Sequence, residues 1–112
     1  MKTASKPQAH SHAAPAQFWL EKAWPEGAAV MAKLRETATA DGAIDAKTKA
    51  MIKLACVSLQ RCKHCLNNTV ASLKKDHGVT DRQIAEIMMV ASYTGAGTNM
   101  AWAKEVFDEQ LG

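Results

Sequence analysis

The 112-residue sequence lacks the long apolar run that a membrane helix requires. None of its hydrophobic stretches approaches the roughly 18 consecutive apolar residues that span a bilayer. Its beginning holds Lys2 and Lys6 with no apolar segment behind them, so it does not resemble a secretory signal. We therefore expect a cytoplasmic protein with no membrane partner.

The sequence also lacks a large excess of either positive or negative charge. The net charge is +3 at pH 7, and it falls to +1 once the two lysines of residues 1–17 are set aside. Lysine and arginine are not interleaved with aromatic residues, as they are in many nucleic-acid-binding segments. This balance predicts no nucleic-acid partner.

The sequence has no internal repeat and lacks the period-two alternation and hairpin turns of β-strands. Apolar residues recur instead at spacings of three and four, the period of an amphipathic helix. We predict an all-α, compact bundle of about five to six helices. Three Trp, two Phe and six Met are many large apolar side chains for such a chain, and self-association would bury some of them.

Residues 1–17 are rich in Ala, Ser, Pro and His without periodicity, and they are predicted to form a flexible tail. His10 and His12 lie there, where an ordinary polar role is favoured over metal binding. Residues 18–112 are predicted to form a single helical domain.

Local signals predict where several helices begin or end. Pro25 fits a first helical turn, where no N–H is needed, and Asp45 is a good N-cap. Gly78 can supply a left-handed C-cap, and Thr80 with Gln83 makes a capping box.

Two further predictions concern packing. The helix after Asp45 has a nearly continuous apolar run, so we expect it and its Cys56 to be buried on most sides. Gly95-Ala96-Gly97 is expected to end one helix before a last one begins, and its glycines to permit a turn and close helix approach.

Cysteine is scarce, yet two of the three cysteines stand together in Arg61-Cys62-Lys63-His64-Cys65. Two cysteines three apart can meet on one helical turn, so they can close a disulfide or share a metal. Structural disulfides are rare in the cytosol, which favours a catalytic or metal-binding pair. A closed zinc site wants four ligands, and no second pair is present. We therefore predict no metal and no cofactor.

Cys62 is the better thiolate on electrostatic grounds. It opens a helix, where unpaired main-chain N–H groups favour an anion, and Arg61, Lys63 and His64 add positive charge. Cys65 is placed to attack a mixed disulfide or sulfenate on Cys62, or the reverse. The pair predicts a cycle between dithiol and disulfide.

Four other residues are candidate members of the site. His64 could be a proton shuttle or could merely add charge. The hydroxyl of Thr69 could reach the Cys65 sulfur, although a helical Thr more often bonds to the carbonyl four residues earlier. Glu86 and Tyr93 are candidate accessory residues of a pocket over the cysteines, with surface or core roles as the commoner alternative.

The order of these features resembles the carboxymuconolactone decarboxylase family, and within it the alkylhydroperoxidase D-like (AhpD-like) branch that keeps a CxxC pair. The residues that carry the resemblance are 45–55, 61–65, 78–86 and 95–97, and it covers most of residues 25–107. The resemblance implies an all-helical homo-oligomer, a trimer or hexamer. It also implies a peroxide or disulfide substrate and a thiol or dithiol reductant protein.

In that branch the second cysteine, here Cys65, attacks peroxide and Cys62 resolves it, which reverses the electrostatic assignment. The branch also uses a proton relay of a Glu, a His just before the second cysteine and a His four residues after it. Only His64 matches, since the other two positions hold Ala50 and Thr69. The resemblance therefore implies an antioxidant thiol-dependent peroxidase or disulfide oxidoreductase with an incomplete relay.

Three alternatives stay open. One is a non-catalytic, redox-responsive binding protein whose CxxC state alters assembly or partner affinity. Another is a decarboxylase-like enzyme acting on a small carboxylated substrate, which is less favoured because the decarboxylase proper lacks the CxxC. The third is a zinc-binding module.

Overall fold

A computed structural model describes residues 19–112 of the chain. Every regular element in this range is a helix, which confirms the all-α prediction. After a helical segment at residues 19–23 come four longer helices: α1 (Pro25–Thr39), α2 (Ala46–Leu59), α3 (Lys63–His77) and α4 (Asp81–Gln110). The predicted tail, with His10 and His12, lies outside the described residues.

The described residues divide into two compact units, one that ends at Ala43 and one that spans Ile44–Gly112. In the first unit α1 begins at Pro25, as predicted, and Gly27 is buried so close to Trp24 that a Cβ there would overlap the indole ring. The second unit holds α2, α3 and α4 and, with them, the cysteine pair. The single domain expected over residues 18–112 stays a prediction.

Capping hydrogen bonds confirm the other predicted helix ends. The Asp45 carboxylate accepts the Thr48 N–H at 2.7 Å, and this bond holds the pKa of Asp45 below its usual range. Gly78 ends α3 in the left-handed region, with φ 63°. Thr80 and Gln83 form the reciprocal capping box at the start of α4, with N···O distances of 3.1 and 2.9 Å.

The core of the second unit is small and joins all three of its helices. Leu54 of α2 and Leu73 of α3 are fully buried, and Val79 between α3 and α4 is nearly so. Partly buried side chains surround these three: Ala50, Met51, Leu66, Val70, Ile84, Ile87 and Met88. The core therefore fixes α2 and α3 on either side of the short link that carries the first cysteine of the pair.

The prediction that α2 is buried on most sides is wrong. Leu54 and Val57 are buried, but Ile52 and Leu59 are about half exposed, and Cys56 is exposed rather than part of the core. The physical reason is that a helix packed against two neighbours buries one stripe. Its remaining apolar side chains then face outward.

The helix break predicted at Gly95-Ala96-Gly97 is also wrong, because α4 runs unbroken for 30 residues. A glycine in a helix costs about 1 kcal/mol relative to alanine, but it keeps its main-chain N–H and does not end the helix. Close approach is confirmed at Gly95, where a Cβ would lie 3.2 Å from a methyl group of Leu59.

Replacing Leu54 with Ala should lower the free energy of unfolding by about 2–5 kcal/mol, because it leaves a cavity in the core. Ile52→Ala is the matched control, since it removes the same number of carbon atoms from a half-exposed site on the same helix. It should lower the free energy clearly less. Chemical denaturation measures both variants, and equal losses would contradict the assigned core.

Candidate functional site

The link between α2 and α3 is a Schellman motif, a hydrogen-bonded helix end. The Arg61 N–H donates to the Ser58 carbonyl at 3.2 Å, and the Cys62 N–H donates to the Val57 carbonyl at 3.4 Å. Arg61 takes the left-handed conformation, φ 61°, that glycine usually supplies in this motif. The motif fixes the point at which the chain turns from one helix into the next.

Cys62 caps two helix ends: its main-chain N–H bonds to the end of α2, and its side chain bonds to the start of α3. It is the N-cap of α3, and its Sγ accepts the Cys65 N–H at 3.2 Å. The sulfur thus takes the place that Ser, Thr, Asn or Asp has at most helix starts, where negative charge is favoured. The prediction that Cys62 opens a helix is confirmed.

Cys62 and Cys65 are joined by a disulfide, with their Cα atoms 5.2 Å apart. Both residues are half-buried, while Arg61, Lys63 and His64 around them are exposed. The pair therefore lies at the surface, among groups that carry or can acquire positive charge. The third cysteine, Cys56, is free and exposed on α2.

His64 has a partner that sequence reasoning missed. Its Nε2 lies 3.1 Å from Asn68 Nδ2 in a solvent-exposed contact, and the Asn68 residue as a whole is half-buried. An amide nitrogen only donates, so this contact suits a neutral ring with its proton on Nδ1. A half-turn of the amide would offer its oxygen to a protonated ring, so Asn68 can pair with either state. The four-residue spacing from His64 is the signal that could have found it.

Thr69 is buried one turn after Cys65 and is only 3% exposed. Its hydroxyl has no hydrogen-bond partner within residues 19–112. Both partners suggested by the sequence, the Cys65 sulfur and the Cys65 carbonyl, are therefore wrong for the disulfide form. The sulfur is held instead in its covalent bond to Cys62.

Glu86 and Tyr93 are both exposed on α4. The Glu86 carboxylate pairs with Arg82 at 2.7 Å, and Tyr93 borders an open surface pocket with Thr94, Ala96, Gly97 and Met100. No hydrogen bond or ion pair in the described part of the chain connects either residue to the cysteines. An accessory role for them stays a prediction.

Among residues 19–112, no three His, Cys, Asp or Glu side chains are grouped so that they could hold a metal ion such as zinc. None of the helices in the same range combines the length and apolar character needed to cross a membrane.

Comparison with known proteins supplies two matches. The model of the carboxymuconolactone decarboxylase family matches residues 25–109. A protein of Paracoccus denitrificans described as "Uncharacterized protein 4 in cox locus" is 34% identical over 79 residues, which is 68% of this chain and 70% of that protein. No solved structure gives a significant match.

Arg61→Gly should raise the free energy of unfolding by up to about 1 kcal/mol, because glycine adopts the left-handed conformation without a clash at Cβ. The neighbouring Gln60 is the matched control. It has right-handed φ and ψ of −80° and −5°, so Gln60→Gly should destabilise. Urea denaturation of the two variants tests the opposite signs. Loss of stability in Arg61→Gly would contradict the assigned turn.

Proposed function

From the finding that the chain belongs to the carboxymuconolactone decarboxylase family, we propose that it is an AhpD-like, thiol-dependent peroxidase or disulfide oxidoreductase. The observation that carries this proposal is the Cys62–Cys65 disulfide at the start of α3. Its sulfurs are close enough to exchange electrons as a unit, and they lie at the surface, where a small oxidant and a reductant protein could both reach them.

In the proposed cycle a thiolate of the pair attacks the O–O bond of a peroxide. A sulfenic acid forms, and the alkoxide leaves and takes up a proton to become the alcohol. The second thiol then attacks the sulfenic sulfur, which releases water and closes the disulfide. A dithiol donor restores the two thiols by exchange and becomes a disulfide itself, so two electrons pass from donor to peroxide.

The cycle is compatible with attack by either sulfur. The Cys65 N–H that Cys62 Sγ accepts would stabilise a thiolate on Cys62. The family resemblance instead assigns the attack to Cys65. His64, with Asn68 beside it, is the proposed source of the proton for the leaving alkoxide.

A second candidate is a non-catalytic protein whose pair responds to redox conditions by changing assembly or partner affinity. The observation that favours it is the missing relay: Ala50 packs at the edge of the core, and Thr69 is a buried hydroxyl. Slow peroxide turnover together with a different oligomer size under reducing conditions would support this candidate. Decarboxylase-like chemistry has less support, because it assigns no role to the cysteine pair.

The parent protein should consume an alkyl hydroperoxide only when a dithiol donor is supplied. Cys62→Ser and Cys65→Ser should each lower the rate by at least about a hundredfold, because neither can complete the disulfide. Cys56→Ser is the matched control: it removes an exposed thiol outside the pair and should keep the parent's rate. Undiminished consumption by Cys65→Ser would refute the proposed enzyme.

The proposed assembly is a homo-oligomer held by one face of α4. Six residues of this face alternate at spacings of four and three, as in a helix–helix seam: Met89, Tyr93, Ala96, Met100, Ala103 and Phe107. The four large side chains among them are between about half and four-fifths exposed. A second copy of the chain is the proposed occupant, because its identical seam is apolar along the same length.

Met100→Asp should dissociate this assembly, because it places a charge in the middle of the seam. Thr98→Asp is the control, since it puts the same charge at an exposed position on nearly the opposite side of the helix. Sedimentation equilibrium measures the mass of each protein. A monomeric parent, or a Met100→Asp variant that assembles like the parent, would contradict the proposed interface.

A further inference from the structure

The hydroxyl of Thr69 is buried and unpaired, which is uncommon in folded proteins. A buried hydroxyl loses its hydrogen bonds to water and gains nothing in return, so it destabilises the state in which it has no partner. Its usual helical partner, the carbonyl four residues earlier, does not accept its proton here. A partner in a second state of the protein would account for the group.

The pair of cysteines provides such a second state. Thr69 follows Cys65 by four residues on α3, so the two side chains lie one above the other on one face of the helix. The Cα–Cβ bond of Thr69 leans toward the start of the helix, and therefore toward Cys65. In the disulfide form the Cys65 sulfur is bonded to Cys62 and is not free to turn toward the hydroxyl.

The two sulfurs also differ in their hydrogen bonds. Cys62 Sγ accepts the main-chain N–H of Cys65 at 3.2 Å. No donor to Cys65 Sγ is found among residues 19–112, although a thiolate there would need one. The Thr69 hydroxyl, which has no acceptor in this part of the chain, and the Cys65 sulfur, which has no donor there, therefore belong to neighbouring residues on the same face of α3.

We propose that Thr69 donates a hydrogen bond to the Cys65 sulfur once the disulfide is reduced, and that this bond favours the reduced pair. The inference rests on the proposed dithiol–disulfide cycle. A dithiol donor supplies two electrons and two protons, the Cys62–Cys65 bond breaks, and the donor becomes a disulfide. The side chain of Cys65 is then free to turn toward Thr69, which acts as a positioning residue that does not itself exchange electrons.

The test uses Thr69→Val and Thr69→Ser in the full chain carrying Cys56→Ser, so that only the pair can react. Each protein is equilibrated with mixtures of reduced and oxidised dithiothreitol, and the free thiols are trapped and counted by mass spectrometry. Thr69→Val, which removes the hydroxyl with little change of shape, should shift the equilibrium toward the disulfide by roughly tenfold, or about 30 mV. Thr69→Ser keeps the hydroxyl and should stay close to the Thr69 protein.

A second measurement separates this role from simple packing. Thr69→Val should raise the melting temperature of the oxidised protein relative to that of the reduced protein, because only the oxidised form contains the unpaired hydroxyl. In a chain that also carries Cys62→Ser, the alkylation rate of Cys65 should rise at a higher pH in the Thr69→Val variant than in the protein that keeps Thr69. Equal stability changes in both redox forms and an unmoved pH profile would overturn the inference.

The outcomes also distinguish the inference from the proposed function. If the pair cycles normally and Thr69→Val leaves its equilibrium unchanged, only the role of Thr69 is refuted. If no dithiol reduces the pair in the folded protein, the proposed function and this inference both fail.

Discussion

The site depends on the two hydrogen bonds that Cys62 makes in opposite directions along the chain. Its N–H donates a hydrogen bond to the Val57 carbonyl at the end of α2, and its sulfur accepts one from the Cys65 N–H at the start of α3. The two bonds define how the chain passes from α2 into α3, and the buried cluster of Leu54, Leu73 and Val79 packs the two helices together on either side of this junction. The geometry of the pair is therefore set by local hydrogen bonds at a junction between two helices that share one small core.

The cap at Asp45 shows what this arrangement does to an anion within the same protein. There a side chain at the N-cap accepts the N–H three residues on, and that bond lowers the pKa of Asp45. Cys62 makes the corresponding bond at the next helix start. Asp45 keeps its charge at neutral pH, whereas the charge at Cys62 depends on whether the disulfide is open. Because a thiolate accepts a stronger hydrogen bond than a disulfide sulfur, reduction should also strengthen the start of α3.

The sequence was sufficient to predict features that depend only on residues close together in the chain. The caps at Asp45, Cys62 and Gly78 involve groups within a few positions of each other, so their residue types and spacings identify them. The extent of α4 and the exposure of Cys56 depend instead on tertiary packing. Two glycines weaken a helix by an amount that packing elsewhere can offset, and a continuous apolar run does not reveal which of its faces has a partner.

The sequence identified Thr69 as a candidate but did not predict that its hydroxyl has no partner among the described residues in the disulfide form, and this residue bears on how protons move at the site. Where the resemblance expects a histidine, a hydroxyl can donate a hydrogen bond but does not titrate near neutral pH. It can stabilise the Cys65 sulfur without accepting its proton, and Ala50 offers no carboxylate to take over that task. Proton exchange would then fall to His64 and to water on the exposed side of α3. The reactivity of the thiols in such a site would depend mainly on the hydrogen bonds to the two sulfurs, and much less on a buried chain of acids and bases.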